Sequence, residues 1–190
     1  MRRKFLAARE DLVDKLSKIA QEKNVTLFGM VNEVLEEFIR SEENGQSLRE
    51  VVDSQLILKM AKEAGLILVT ENFWNYILDK GFENDKEVLD EMWRSTGQWF
   101  GRCCKIRLPS ESPLGTLERA MRALPWNISE VNITRSKDGG NVTCIGSRLS
   151  LPNTTLLAAF MIGFMDSFGY TLSSRNISRG IISLDFKRGE

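Results

Sequence analysis

A chain of 190 residues, 42% hydrophobic and 27% charged, has ordinary globular composition and is long enough for one large domain or two small ones. Lys plus Arg balance Asp plus Glu at 26 each, so no global positive field draws the chain to nucleic acid, and any such binding must be local. The absence of His removes the commonest transition-metal ligand and the usual neutral-pH general base, while three Cys without C-x-x-C spacing indicate neither a disulfide framework nor a zinc site.

In chain order, "RRKFLAA" predicts a short strand and "REDLVDKLSKIAQEK" a helix, whose Leu12, Val13, Leu16, Ile19 and Ala20 recur on one face. After the turn at Asn24, Thr26 is placed to cap a second helix, "TLFGMVNEVLEEFIR", with Leu27, Met30, Val31, Val34, Leu35 and Phe38 on its apolar face. A unit of roughly 40 residues buries too little to stand alone easily and is expected to dimerise. The polar stretch Ser41 to Glu50 reads as a connector.

Beyond it, "VVDSQLILKMAKEAG", "TENFWNYILDKG", "DKEVLDEMWRSTGQWFGRC" and "PLGTLERAMRAL" predict helices. "SEVNITRS", "KDGGN" and "VTCIGSRL" predict a hairpin, "LPNTTLLAAFMIGFMDSFG" an apolar helix, and "YTLSSRNI" with "GIISLDFKR" two further strands. The expected fold class is α+β: residues 1–42 a dimerising unit, 43–50 a linker, and 51–190 an α+β domain with an antiparallel sheet. Small residues from Ala158 to Gly163 suit close helix packing, including packing between subunits.

The aromatic inventory is large. Phe160, Phe164 and Phe168 fall on one helical stripe. Two readings of it stand: core packing, and a pocket for a small apolar ligand lined by Trp93, Phe160, Phe164 and Tyr170, with Arg94 among its polar groups. Acidic pairs such as Glu36 with Glu37, and Asp85 with Glu87, have no accompanying base or metal ligand and read as solvated faces. No phosphate-binding glycine motif, nucleophile elbow or paired-carboxylate arrangement is present, so the expectation is a non-enzyme without cofactor or metal. "MRRKFLAARED" turns acidic before an apolar signal region develops, and no stretch approaches the roughly 18 to 20 apolar residues of a membrane span. A cytoplasmic protein without a membrane partner is expected.

The basic "RRK", "REDLVDKLSKIAQEKNV" and "TLFGMVNEVL" together resemble the ribbon-helix-helix repressor family over residues 1–42. That resemblance implies a swapped dimer whose paired strands enter the DNA major groove, with Arg3, Phe5 and Ala7 facing bases and Lys4, Leu6 and Ala8 inward. A shift of one residue would exchange the two sets. It further implies phosphate contacts from Arg2, Lys4 and the basic cluster ending at Arg9, and from the helix start Thr26, Leu27, Phe28 and Gly29. The function implied is a sequence-specific transcriptional regulator, a repressor, acting on double-stranded DNA as a homodimer or higher homo-oligomer. The alternative is an interaction protein, antitoxin-like or a scaffold subunit, that dimerises through the same unit without DNA.

Over residues 85–188, the hairpin, the Gly-containing apolar helix and the G-x-x-x-x-x-F of Gly180 to Phe186 resemble the vinyl-reductase-like ligand-binding domain. The Cys residues of that family's end are replaced by Asn176 and Leu184. A generic α+β interaction domain is the other reading of this region.

Overall fold

The run from Lys4 to Arg9 carries no regular structure and is exposed throughout, Phe5 and Leu6 included. The computed structural model describes residues 4–189. The expected strand is therefore corrected. Among the described residues of the single chain no second strand meets this run, neither of its alternating residue sets is buried, and a strand alone leaves its backbone groups to water. Arg2 and Arg3 lie outside the described residues.

The helices of the first unit form where the apolar spacing predicts. Helix α1 (Glu10–Glu22) opens with Glu10 and Asp11, acidic residues that suit the positive end of the helix dipole. It closes where Asn24 takes a left-handed conformation, φ 55°, with Val25 N donating to the Ala20 carbonyl. Helix α2 (Leu27–Glu43) starts at Thr26, whose hydroxyl accepts from Gly29 N at 3.0 Å, as its capping role requires. Helix α3 (Leu48–Glu63) begins with a reciprocal cap in which Ser47 N donates to Glu50 Oε2 and Glu50 N to Ser47 Oγ.

The chain divides into two compact units, Met1–Val52 and Asp53–Glu190, and the division falls within α3. In the first unit only Ala20, Met30 and Ser41 are buried among the described residues.

The second unit has a continuous core. After α3 come α4 (Glu71–Asn84), α5 (Lys86–Arg107) and α6 (Pro113–Ala123), then β1 (Glu130–Ser136), β2 (Gly139–Ile145), α7 (Leu151–Asp166), β3 (Tyr170–Ser178) and β4 (Ile181–Arg188). The four strands form one antiparallel sheet in the order β1-β2-β4-β3. Its helix-side face carries Val142, Cys144, Ile182, Leu184 and Phe186, all buried. The other face is polar: Asn141 Nδ2 donates to Asp185 Oδ1 at 2.8 Å and to Ser183 Oγ at 3.1 Å, and Thr143 donates to Asn141 Oδ1. Strict period-two alternation produces this division.

From Leu156 to Met165 helix α7 is apolar and buried on every side, with α5 against one flank and β3 and β4 against another. The contact with α5 is made at backbone distance. A Cβ at Gly97 would overlap the Phe160 carbonyl, one at Gly163 the Arg94 carbonyl, and one at Gly101 the Ser167 hydroxyl and Phe164 carbonyl. The small residues from Ala158 to Gly163 thus serve packing within one chain. At the other end of α7, the buried Thr154 hydroxyl accepts from Gly180 N at 2.9 Å and donates to the Ser150 carbonyl, tying the helix start to the β3–β4 turn.

Leu184, fully buried on a central strand, tests this core. Leu184→Ala is expected to lower unfolding free energy by about 2–5 kcal/mol, and Ser183→Ala on the polar face by less than about 1.5 kcal/mol, measured by urea unfolding.

Candidate functional site

A groove runs between α5, α7 and β3. It consists of two adjoining hollows, of about 340 Å³ and about 650 Å³, that share Asp90, Thr155, Arg175 and Ile177 as walls. Helix α5 supplies Asp90 and Arg94, one turn apart on one face, and α7 supplies Thr155, Ala159, Ile162 and Asp166 along another. Strand β3 supplies Thr171, Leu172, Arg175 and Ile177. Leu172 and Ile177 are five residues apart, a separation that strict alternation would place on opposite faces, yet both pack against the core. A register shift between Leu172 and Ser174 accounts for this, since one extra residue in β3 restores the inward face.

The charges of the groove divide into committed and uncommitted groups. Arg94 Nε donates to Asp166 Oδ2 at 2.9 Å and its Nη2 lies 2.8 Å from the same oxygen, with Gln98 Nε2 at 3.5 Å. Asp166 is the more enclosed partner, its side chain 20% exposed against 45% for Arg94. This pair closes one end of the smaller hollow. Arg175 and Asp90 line both hollows and make no ion pair with each other or with another side chain among the described residues. Lys86, Glu87 and Glu91 border the larger hollow.

The residues expected to line an apolar pocket lie elsewhere. Phe160 and Phe164 are fully buried, and the rings form a continuous ladder: Trp74 to Trp93 at 5.7 Å, Trp93 to Trp126 at 5.8 Å, Trp126 to Phe160 at 5.3 Å, Phe160 to Phe100 at 6.0 Å and Phe100 to Phe164 at 6.1 Å. Trp93 is half-buried within this ladder, and Tyr170 is half-buried at the start of β3 against the core. None of the four lines either hollow. Offset and tilted rings at these separations are a packing arrangement. Trp74 Nε1 donates to Asn153 Oδ1 at 2.7 Å, whereas the buried Trp126 Nε1 has no hydrogen-bond partner among the described residues.

In the first unit, Arg9 makes two bonds to Asp11, at 3.0 and 2.7 Å, and this partner holds the Asp11 carboxyl below its usual range. One cation of the basic cluster is thereby already paired. Lys4, Phe5 and Ala7 are exposed, Leu27 is half-buried, and Phe28 and Gly29 are exposed.

No protein-family model and no curated protein matches the chain. Solved structures do. An H-NOX domain from work probing the function of heme distortion in that family aligns at TM-score 0.40 and 14% identity, covering 75% of this chain and 89% of that one. An oxygen-binding H-NOX domain related to soluble guanylate cyclases aligns at TM-score 0.37 and 13% identity, over 81% and 91%. A third, concerned with the mechanism of H-NOX activation, aligns at TM-score 0.37 and 14% identity, over 73% and 88%. The likeness is loose and assigns no function to this chain.

The expected identification is nonetheless corrected. The matched structures are H-NOX domains rather than ribbon-helix-helix repressors or vinyl-reductase-like domains. Two short amphipathic helices joined by a capped turn occur in many folds, so their pattern alone does not carry a repressor. The regulator reading falls with it, its double-stranded DNA partner is left without support, and the base and phosphate roles given to Phe5, Ala7, Lys4, Thr26, Leu27, Phe28 and Gly29 were expectations tied to that reading. Among the described residues no helix is long and apolar enough to cross a membrane.

Heme, which the first of those works concerns, finds no ligand for its iron in the two hollows. The chain has no His, and neither hollow is lined by Cys, Met or Tyr, the other side chains that hold heme iron. Cys104 and Cys144 are buried in the core, and burial pushes both thiols up to about 12, away from the thiolate that binds metal. No cluster of three metal-binding side chains occurs among the described residues.

Groove residues escaped the sequence because they converge from distant positions: Arg94 and Asp166 are 72 residues apart. The signal present was Arg94 itself, together with an arginine on a strand whose neighbours Leu172 and Ile177 are apolar.

The three thiols give a direct check. At pH 8 the half-buried Cys103 should alkylate first with iodoacetamide, and Cys104 and Cys144 only after unfolding. Because the two folded thiols keep protons that unfolded thiols release, unfolding free energy should hold level below about pH 9 and fall between about pH 9 and 12. Denaturant titrations across that range measure it.

Proposed function

We propose that the second unit is a small-molecule recognition domain, and that its ligand is a small polar molecule bearing both an anionic and a cationic group. The observation that carries this reading is the pair of uncommitted opposite charges, Arg175 and Asp90, lining the same groove. An arginine fork suits a carboxylate or similar anion, and an aspartate suits an ammonium group. The apolar floor of Ala159, Ile162, Leu172 and Ile177 receives the body of the molecule, and Thr155, whose hydroxyl donates to the Leu151 carbonyl, offers its oxygen as an acceptor. The paired Arg94 and Asp166 act as a fixed end wall. This lining favours a polar ligand over the apolar one expected from the aromatic inventory. The reading is of binding, with no reaction attached.

Calorimetric titration of the full chain with free amino acids, and with carboxylic acids and amines of matched size, tests it. Binding should require both charged ends of the molecule. Arg175→Ala and Asp90→Asn should each weaken it by roughly tenfold or more, while Gln98→Ala changes little. Binding indifferent to both substitutions, or none across the series, would refute the reading.

A further inference from the structure

The first unit presents an apolar face that its own two helices do not cover. On α2, Val34, Leu35 and Phe38 follow the i, i+1, i+4 spacing of one stripe and are 38–46% exposed, with Ile39 at 53% on its rim. Only Met30 and Ser41, on the opposite edge of that stripe, are buried. Leu12 and Ile19 of α1 extend the face at 52% and 43% exposure.

With three buried residues among those described, a unit of this size lacks the burial that holds small domains together. By their exposed fractions, the six residues offer on the order of 500 Å² of apolar surface, and with their polar borders they approach the roughly 600–800 Å² that each partner contributes to a stable interface. The borders carry opposite signs. Along α1, Arg9, Lys15 and Lys23 lie one turn from Leu12 or Ile19 and outnumber Glu22, while on α2 Glu36, Glu42 and Glu43 lie one turn from Ile39.

We infer that this face is closed by the same face of a second copy of the chain, so that the protein self-associates through α1 and α2 without a strand ribbon. A second copy supplies both what the face lacks: an equal apolar area, and a border of each sign to meet its opposite. This inference does not depend on the groove or its ligand.

Sedimentation equilibrium of the full chain, from about 1 to 100 µM, tests it. The unsubstituted chain should be a dimer within that range. Phe38→Glu should raise the dissociation constant at least roughly tenfold, a change of about 1.4 kcal/mol, while Glu33→Lys on the polar side of α2 leaves it in place. Circular dichroism reports whether the helices persist. If Phe38→Glu unfolds, Ile39→Glu at the rim decides, with the same weakening expected. A monomer throughout the range, or a dimer unmoved by both substitutions, would overturn the inference.

Discussion

The second unit depends on one contact, the approach of α5 and α7 to backbone distance. Gly97 sits against the Phe160 carbonyl and Gly163 against the Arg94 carbonyl, so each helix contributes a glycine where the other presents a carbonyl. Side chains at these points would force the helices apart, and overpacking a dense interior costs about 1–3 kcal/mol or more. The same contact places Arg94 beside Asp166, sets Phe100 against Phe160 and Phe164, and holds α7 where the sheet's buried face can cover it. The groove lies at the margin of this arrangement, walled by α5, α7 and the bulged strand β3.

The two units solve the problem of burial differently. In the second, apolar residues from helices and sheet meet in one cluster, and its polar surplus goes to the outer sheet face and the groove. In the first, the apolar stripe of α2 is wider than the edge that meets α1, and the excess is left outside. Such an excess is a property of an interface rather than of a core.

Most elements were legible from pattern. Helix spacing located α1 and α2, the Thr26 cap marked a start, and "GIISLDFKR" reads as a strand, whose Ile182, Leu184 and Phe186 prove to share one buried face. The stripe of Phe160, Phe164 and Phe168 was legible as core, and rings at 5.3 to 6.1 Å bear that reading out. What failed did so for physical reasons. Alternation in Lys4 to Ala8 is shared by strands and by short exposed runs, and only a partner strand distinguishes them. The small residues of α7 signal close approach without saying to which helix. The groove depends on a bulge and on pairings across more than 70 residues, neither of which leaves a local periodicity.

Native-state hydrogen exchange measures the central contact most directly, because an enclosed helix locked to its neighbour can expose its amides only when the unit opens as a whole. The amides from Leu156 to Met165 should be the slowest in the chain, exchanging with the free energy of global unfolding of the second unit, and those of α5 around Gly97 and Gly101 should follow them. Exchange of the α7 amides at rates like those of α1, well below the global unfolding free energy, would contradict the account.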